Sequence, residues 1–264
     1  MTVLFDDLLE TAHSLANEAA KVTSRYFRAH SSADHKGGTL YDPVTRADTE
    51  AESAMRGVLA RRHPDHGVLG EEFGTTNEGA DYVWTLDPID GTRAFILGLP
   101  LWGTLIGLQH QGKPMLGVMD QPFTGERFWS DSRAAWYRGP KGLQRCKTRA
   151  CPNLSEAFLT ATAPDMFDGE DEVRFNRLAA AVRMRRFGGD CYAYCMLALG
   201  HIDIVAEAKL KPFDIIPLLP IVEKAGGSVS NWDGGEDLSG GRCIAVGDAA
   251  LKGAALSHLR VPSL

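Results

Sequence analysis

No stretch of this 264-residue sequence stays apolar for the roughly 20 residues that a membrane-spanning helix needs. Internal repeats, low-complexity tracts and long linkers are also missing, which excludes solenoids and extended tails. Basic residues are in the minority: 28 Lys and Arg stand against 34 Asp and Glu, a net charge of −6. Affinity for nucleic acid comes from Lys and Arg set against phosphates, so neither nucleic acid nor a membrane is an expected partner. An acidic chain can still take a small phosphate where cations reverse the local sign. The five cysteines are an odd number, and no spacing among them makes a CxxC metal pair. All five are expected to be reduced and structural, as in a cytosolic protein. The opening residues, Met1 to Asp7, show neither the basic region nor the long apolar core of a secretory signal, and residence in the cytoplasm is expected. The eight histidines are dispersed, without metal-ligand spacing. His63 and His66 flank Pro64-Asp65 and read as a turn, while Arg183, Arg185 and Arg186 read as the solvated face of a strand.

What is present is an ordinary globular composition, 44% hydrophobic and 23% charged, enough to bury a sizeable core. Leu8, Ala12, Leu15, Ala19, Val22 and Tyr26 recur at three- and four-residue steps, which predicts a helix over 5–29. Thr45-Arg46-Ala47-Asp48 has the form of a capping box and opens a second helix to about Arg62. Strands are expected at 68–70 and 82–87, and a hairpin at 104–119. Beyond Cys151 the expectation is strand 157–161, helix 170–182, strand 183–187, helix 191–199, strand 202–206 and one helix over 214–225 stopped by Gly226-Gly227. Pro217 and Pro220 fall in the first two turns of that last helix, where early proline is tolerated. This order suggests a layered α/β sandwich of two merged halves, 1–150 and 151–264.

Three acidic segments stand beside glycine-rich loops. Gly70-Glu71-Glu72-Phe73-Gly74 follows a short strand and, alone, reads most simply as a solvated turn. Asp87-Pro88-Ile89-Asp90-Gly91-Thr92 ends a buried-looking strand. Proline fixes its own φ and pushes the residue before it towards extended geometry, so a sharp turn there could aim both carboxylates and the Ile89 carbonyl at one point. Standing alone, the hexapeptide serves equally well as a turn with Asp90 as an N-cap. Lys211-Pro212-Phe213-Asp214 precedes a helix, where a capping aspartate is the plain reading.

Together and in order, these segments resemble the inositol monophosphatase family, whose ordered motifs here include Val44-Thr45-Arg46-Ala47-Asp48 and run over nearly the whole chain. The resemblance implies the αβαβα sandwich of the inositol-monophosphatase/fructose-1,6-bisphosphatase type, Mg²⁺-dependent hydrolysis of a phosphate monoester, and a homodimer. It implies that Glu71, Asp87 and the Ile89 carbonyl hold one Mg²⁺, that Asp87, Asp90 and Asp214 hold a second, and that Glu71 assists a third. It further implies that Thr92, with Thr45 and Asp48, orients the attacking water, and that the Gly91 and Thr92 amides cradle the phosphate. Four carboxylates would repel a phosphate dianion, whereas two or three Mg²⁺ bring the site to zero or positive charge. Phe213 departs from the family, which usually has tryptophan there, and keeps an aromatic ring.

The segments at 95–104, 112–122 and 186–195 are similar to the histidinol-phosphate phosphatase branch of that family. Histidinol phosphate carries an ammonium and an imidazole, so its pocket should offer carboxylates away from the metals. Asp190, at a glycine-rich strand–helix junction, and Glu207, ending a strand, are the candidates; the plain alternative for Asp190 is an N-cap. The resemblance already implies a substrate contact for Glu207 in inositol phosphatases, so Asp190 discriminates better. The alternative substrates are phosphates of inositol, of another sugar-like alcohol or of a phosphoadenosine nucleotide.

Overall fold

The computed structural model describes residues 2–29, 33–35 and 43–260, with side chains from 5 to 29 and from 46 to 260. In chain order its elements are α1 (Thr2–Tyr26), β1 (Ala33–His35), β2 (Pro43–Thr45), α2 (Arg46–Arg62), β3 (Gly67–Gly70), β4 (Gly74–Thr76), β5 (Tyr82–Asp90) and α3 (Thr92–Ile96). Next come β6 (Gly103–His110), β7 (Lys113–Gln121), β8 (Glu126–Ser130), β9 (Ala135–Gly139), β10 (Gly142–Arg145), β11 (Phe158–Ala161), α4 (Gly169–Ala181) and β12 (Met184–Phe187). The chain ends with α5 (Asp190–Ala198), β13 (Ile204–Glu207), α6 (Pro212–Ile215), α7 (Leu219–Ala225), β14 (Ser228–Ser230), β15 (Cys243–Val246) and α8 (Ala249–Leu259).

An eight-stranded sheet runs β10-β9-β8-β7-β6-β5-β3-β4, antiparallel except where β3 lies parallel to β5. A five-stranded mixed sheet runs β12-β11-β13-β15-β14. The apolar stripe of α1 (Leu8, Ala12, Leu15, Ala19) packs with Met55 and Leu59 of α2 on one face of the large sheet. On its other face Leu105, Met119 and Phe128 meet Tyr194 and Leu197 of α5 and Ile221 of α7, which also reach Val205 and Ala245 of the small sheet. Phe175 and Leu178 of α4 join Leu251 and Leu256 of α8 over the far face of the small sheet. The layers are therefore α, β, α, β, α. Burial of these stripes drives the stacking, since each element hides one apolar face against the next.

Most expected elements form, with shifted ends. The single helix over 214–225 does not: it is broken into α6 and α7. Pro217 and Pro220 have no N–H to donate back along the helix, so the hydrogen-bond ladder lapses between α6 and α7 although Ile216 keeps helical dihedrals (φ −53°, ψ −44°). The break is used for packing. A Cβ added at Gly117 would lie 1.8 Å from the Pro217 carbonyl oxygen, and Gly117 pairs with Gly107 across β6 and β7, so these glycines let the broken turn sit directly on the sheet. Strands β8, β9 and β10 had no counterpart in the sequence reading.

All five cysteines are free and buried. His63 and His66 stack at 4.6 Å, and His66 Nδ1 accepts the Trp84 indole N–H at 3.0 Å, a structural use. Arg183, Arg185 and Arg186 are exposed. Among the described residues no helix is long and apolar enough to cross a membrane.

Candidate active site

The bend after β5 comes from one inserted residue. Asp87 pairs with Leu105 and Asp90 with Gly103, so three steps on β5 match two on β6. Side chains alternate faces along a strand, and residues three apart would normally point to opposite sides. The bulge cancels that alternation and lets both carboxylates face one cavity. The turn is fixed locally: the Ile89 N–H donates to Asp87 Oδ1 at 3.1 Å, and the Thr104 hydroxyl donates to the Pro88 carbonyl at 2.7 Å. Gly91 follows at φ 85°, a left-handed conformation that favours glycine. A side chain there would also meet the Leu101 carbonyl at 2.8 Å and the Asp190 Cβ at 3.3 Å.

The cavity occupies about 590 Å³ and takes lining residues from both sheets. Of the residues singled out in the sequence, Glu71, Asp87, Ile89, Asp90, Gly91, Thr92, Asp190, Glu207 and Asp214 all line it. Carboxylate oxygens of Asp87, Asp90 and Asp214 lie within 4.8 Å of one another. Asp214 is not an N-cap. It sits inside α6, where its Oδ2 accepts the Lys211 N–H at 2.6 Å. The Glu71 N–H donates to the Leu86 carbonyl at 3.1 Å, tying its loop to β5. The Thr92 hydroxyl donates to the Ile89 carbonyl at 3.1 Å. Asp48 is buried in the first turn of α2 and is not among the cavity-lining residues. The backbone of Thr45 ends β2, and its side chain lies outside the described residues.

The other wall is assembled from distant segments. Gly189 holds the N-cap position of α5 and Asp190 follows as its first helical residue at φ 43°, so the plain capping alternative for Asp190 does not hold. A left-handed aspartate is strained, and such outliers gather at functional sites. The next N–H, from Cys191, donates to Asp90 Oδ2 at 2.6 Å and joins this wall to the acidic cluster. Glu207 is 2% exposed and accepts from the Thr162 N–H at 3.0 Å, the Thr162 hydroxyl at 2.6 Å and the Tyr194 hydroxyl at 3.0 Å. An ion pair of 2.9 Å links Arg93 of α3 to Asp165. Arg93, Asp165, Thr162 and Tyr194 also line the cavity and went unread in the sequence; only Arg93 had a signal, standing one residue past the hexapeptide.

The electrostatics call for a cation. Burial, then the charges of Glu71, Asp90 and Asp214, push the Asp87 carboxyl well above its usual range. Asp90 is pushed up by burial and by Asp190 and Asp214, against the opposing hydrogen bond from Cys191. Burial raises Asp190 to about 7 with Arg93 opposing, and raises Glu207 to about 7 with its Thr162 hydrogen bond opposing. Carboxylates this crowded stay ionised together only beside compensating positive charge. The converging donors are hard oxygens, and burial holds the nearby Cys191 thiol well above its usual range, in the neutral form. That donor set fits a hard divalent cation rather than a thiophilic one.

A five-layer α/β fold with an oxygen-lined cavity where its two sheets meet defines a class of protein suited to hold a hard cation beside a small polar ligand. The profile of the inositol monophosphatase family matches residues 5–261, and the chain belongs to that family of phosphatases. It is 41% identical to the chloroplastic bifunctional phosphatase IMPL2 of Arabidopsis thaliana over 87% of its own length, and it spans 65% of the length of that relative. It is 35% identical to the histidinol-phosphatase of Mycobacterium tuberculosis, covering 91% of this chain and 93% of that one. The solved structure of an inositol monophosphatase from Zymomonas mobilis superposes with a TM-score of 0.87 at 40% identity, covering 97% of this chain and 99% of the other.

Proposed function

We propose that the chain hydrolyses histidinol phosphate to histidinol in a Mg²⁺-dependent reaction of histidine synthesis. The observation that carries the substrate choice is Asp190, held in a left-handed conformation on a cavity wall built from other segments than the acidic turn. An ammonium group that leaves water on binding needs a charged acceptor, and a carboxylate there supplies one. A chain resembling both a histidinol-phosphatase and an inositol monophosphatase is open to either substrate, and Asp190 favours the cationic one.

In this reading Glu71, Asp87, Asp90, Asp214 and the Ile89 carbonyl would hold Mg²⁺. The bound metal would supply charge neutralisation and an activated water. The protein supplies the rest. The Thr92 hydroxyl donates its hydrogen bond to the Ile89 carbonyl at 3.1 Å, which would leave its oxygen lone pairs to accept from the attacking water. Thr45, which ends β2, and Asp48, in the first turn of α2, would complete that relay. The Gly91 and Thr92 amides bind the phosphate, and Asp190 and Glu207 receive the leaving alcohol, the former its ammonium and the latter its polar hydrogens.

The test is release of phosphate from histidinol phosphate, inositol 1-phosphate and adenosine 3′,5′-bisphosphate by the purified protein with Mg²⁺. Histidinol phosphate is expected to have the highest kcat/KM. A clear preference for inositol 1-phosphate overturns the substrate assignment and leaves the family-level phosphatase. Ca²⁺, with its looser coordination, should inhibit.

A further inference from the structure

We propose that Glu52 is a positioning residue for Glu71: it clasps the loop between β3 and β4 so that Glu71 is held in register with Asp87. The inference rests on the metal site proposed above and adds a residue that touches neither metal nor substrate.

Glu52 lies in α2 one helical turn beyond Asp48 and is 0% exposed. A buried carboxylate is costly unless its oxygens are fully engaged. Here they are engaged by the loop itself. The Glu72 N–H donates to Oε2 at 2.7 Å, the Phe73 N–H to Oε1 at 3.3 Å, and Arg56 Nε to Oε1 at 2.7 Å. Arg56 then carries the clasp to the other side of the turn, donating to the Gly74 carbonyl at 2.5 Å and to the Thr76 hydroxyl at 3.3 Å. The loop approaches α2 this closely only because residue 70 is glycine: a Cβ there would fall 1.9 Å from Glu52 Oε1. On its opposite side Glu71 is tied to Leu86, the residue before Asp87. The Glu71 backbone is thus fixed between two anchors, one on the helix and one on the strand that carries the other ligands. A free acidic loop would have to pay ordering entropy on each metal-binding event, and the clasp removes that cost in advance.

A carboxylate that only fills a gap under the loop would affect stability and leave metal affinity alone. Glu52→Gln keeps the shape but turns one acceptor into a donor, setting an N–H of the loop or of Arg56 against another N–H. Mn²⁺ binding followed by electron paramagnetic resonance, and Mg²⁺ binding by calorimetry, should weaken by about 10–100-fold, the range found when outer partners of metal ligands are removed. KM for histidinol phosphate at saturating Mg²⁺ should stay near wild type. Arg56→Gln alters the less buried end of the clasp, is tolerated by the fold more easily, and should weaken metal binding in the same direction. Glu71→Gln is the reference. If Glu71→Gln weakens Mn²⁺ binding but Glu52→Gln and Arg56→Gln lower only the melting temperature, the clasp is structural and this inference falls while the metal site stands. If Glu71→Gln leaves Mn²⁺ binding unchanged, the metal-site reading falls and takes the inference with it.

Discussion

The two walls of the cavity are built in opposite ways. On the acidic wall Asp87 and Asp214, though distant in sequence, are each oriented locally: Asp87 is held by the N–H of Ile89, and Asp214 by the N–H of Lys211, contacts two and three residues apart in the chain. The facing wall is assembled over long distances, with Glu207 fixed by Thr162 across 45 residues and Asp90 reached by Cys191 across 101. A local turn can specify reactive geometry whatever lies opposite, so one family can keep its chemistry and vary its substrate. The two walls should then fail differently. Loss on the acidic wall should stop every substrate, and loss on the facing wall should affect one substrate more than another.

The largest effects belong to the acidic wall. Removal of metal with excess chelator should abolish turnover of all phosphate esters, and Asp87→Asn should reduce it to the same background, because it removes the buried carboxylate of the proposed ligand set. Full activity in chelator would break the mechanism outright. Next in size is Asp190→Asn. Losing a buried charge-assisted contact costs about 2–5 kcal/mol, roughly thirty- to several-thousand-fold. That loss should appear in kcat/KM for histidinol phosphate and barely in slow turnover of a generic aryl phosphate, with Mg²⁺ affinity shifted far less than by Asp87→Asn. An equal loss on both substrates would erase the distinction between the walls.

A third effect is thermodynamic and follows from the facing wall in metal-free protein. Asp190 and Glu207 titrate at about 7 there, raised chiefly by burial. Between about pH 4, where an ordinary carboxylate titrates, and pH 7 the folded chain keeps protons that the unfolded chain has released. Stability therefore falls as pH rises through that window. Chelated protein should melt at a higher temperature at pH 5 than at pH 8, and Mg²⁺ should narrow the difference by balancing the carboxylates that ionise. His13, His63 and His66, whose titrations burial lowers, act in the opposite sense below about pH 6.5. The contribution is therefore read as the part of the pH effect that Asp190→Asn and Glu207→Gln remove, and no change in either variant would contradict the raised titrations.

The same contrast explains what could be read from the chain. Asp87-Pro88-Ile89-Asp90-Gly91-Thr92 is legible because proline and glycine dictate its backbone within six residues, although the inserted residue that turns both carboxylates to one side appears only when β5 pairs with β6. Glu52 was passed over because its donors, Glu72 and Phe73, lie 20 and 21 residues away. Its one signal was its place four residues after Asp48 on the same helix face. Strands β8 and β9 were unread because their polar residues are satisfied across strands. Arg127 pairs with Asp120 at 2.7 Å, and Tyr137 donates to Glu126 at 2.7 Å, so a half-buried strand reads as a mixed loop. Helix 214–225 was misread for a different reason. Two prolines were weighed by position in one helix, whereas Pro217 rests on the glycine pair of the sheet and ends the first helix there.

The smallest effect concerns Glu72, the neighbour that shares the loop with Glu71. If the acidic wall acts through particular carboxylates, adjacent acids should not be interchangeable. The part of Glu72 that Glu52 accepts is its backbone N–H at 2.7 Å, and Glu72→Gln leaves it in place. The side chain is absent from the cavity lining, and Glu71 is present in it. Because the backbone contact to Glu52 is kept and the side chain lies outside the cavity lining, Glu72→Gln should change kcat/KM by about twofold at most. Glu71→Gln should weaken Mg²⁺ binding and water activation together. Measuring Mg²⁺ dependence on both variants is decisive here, because a ligand raises the metal requirement and a bystander does not. Equal rises would mean that the loop presents its charge collectively, and the argument for a clasp that selects one glutamate would fail with it.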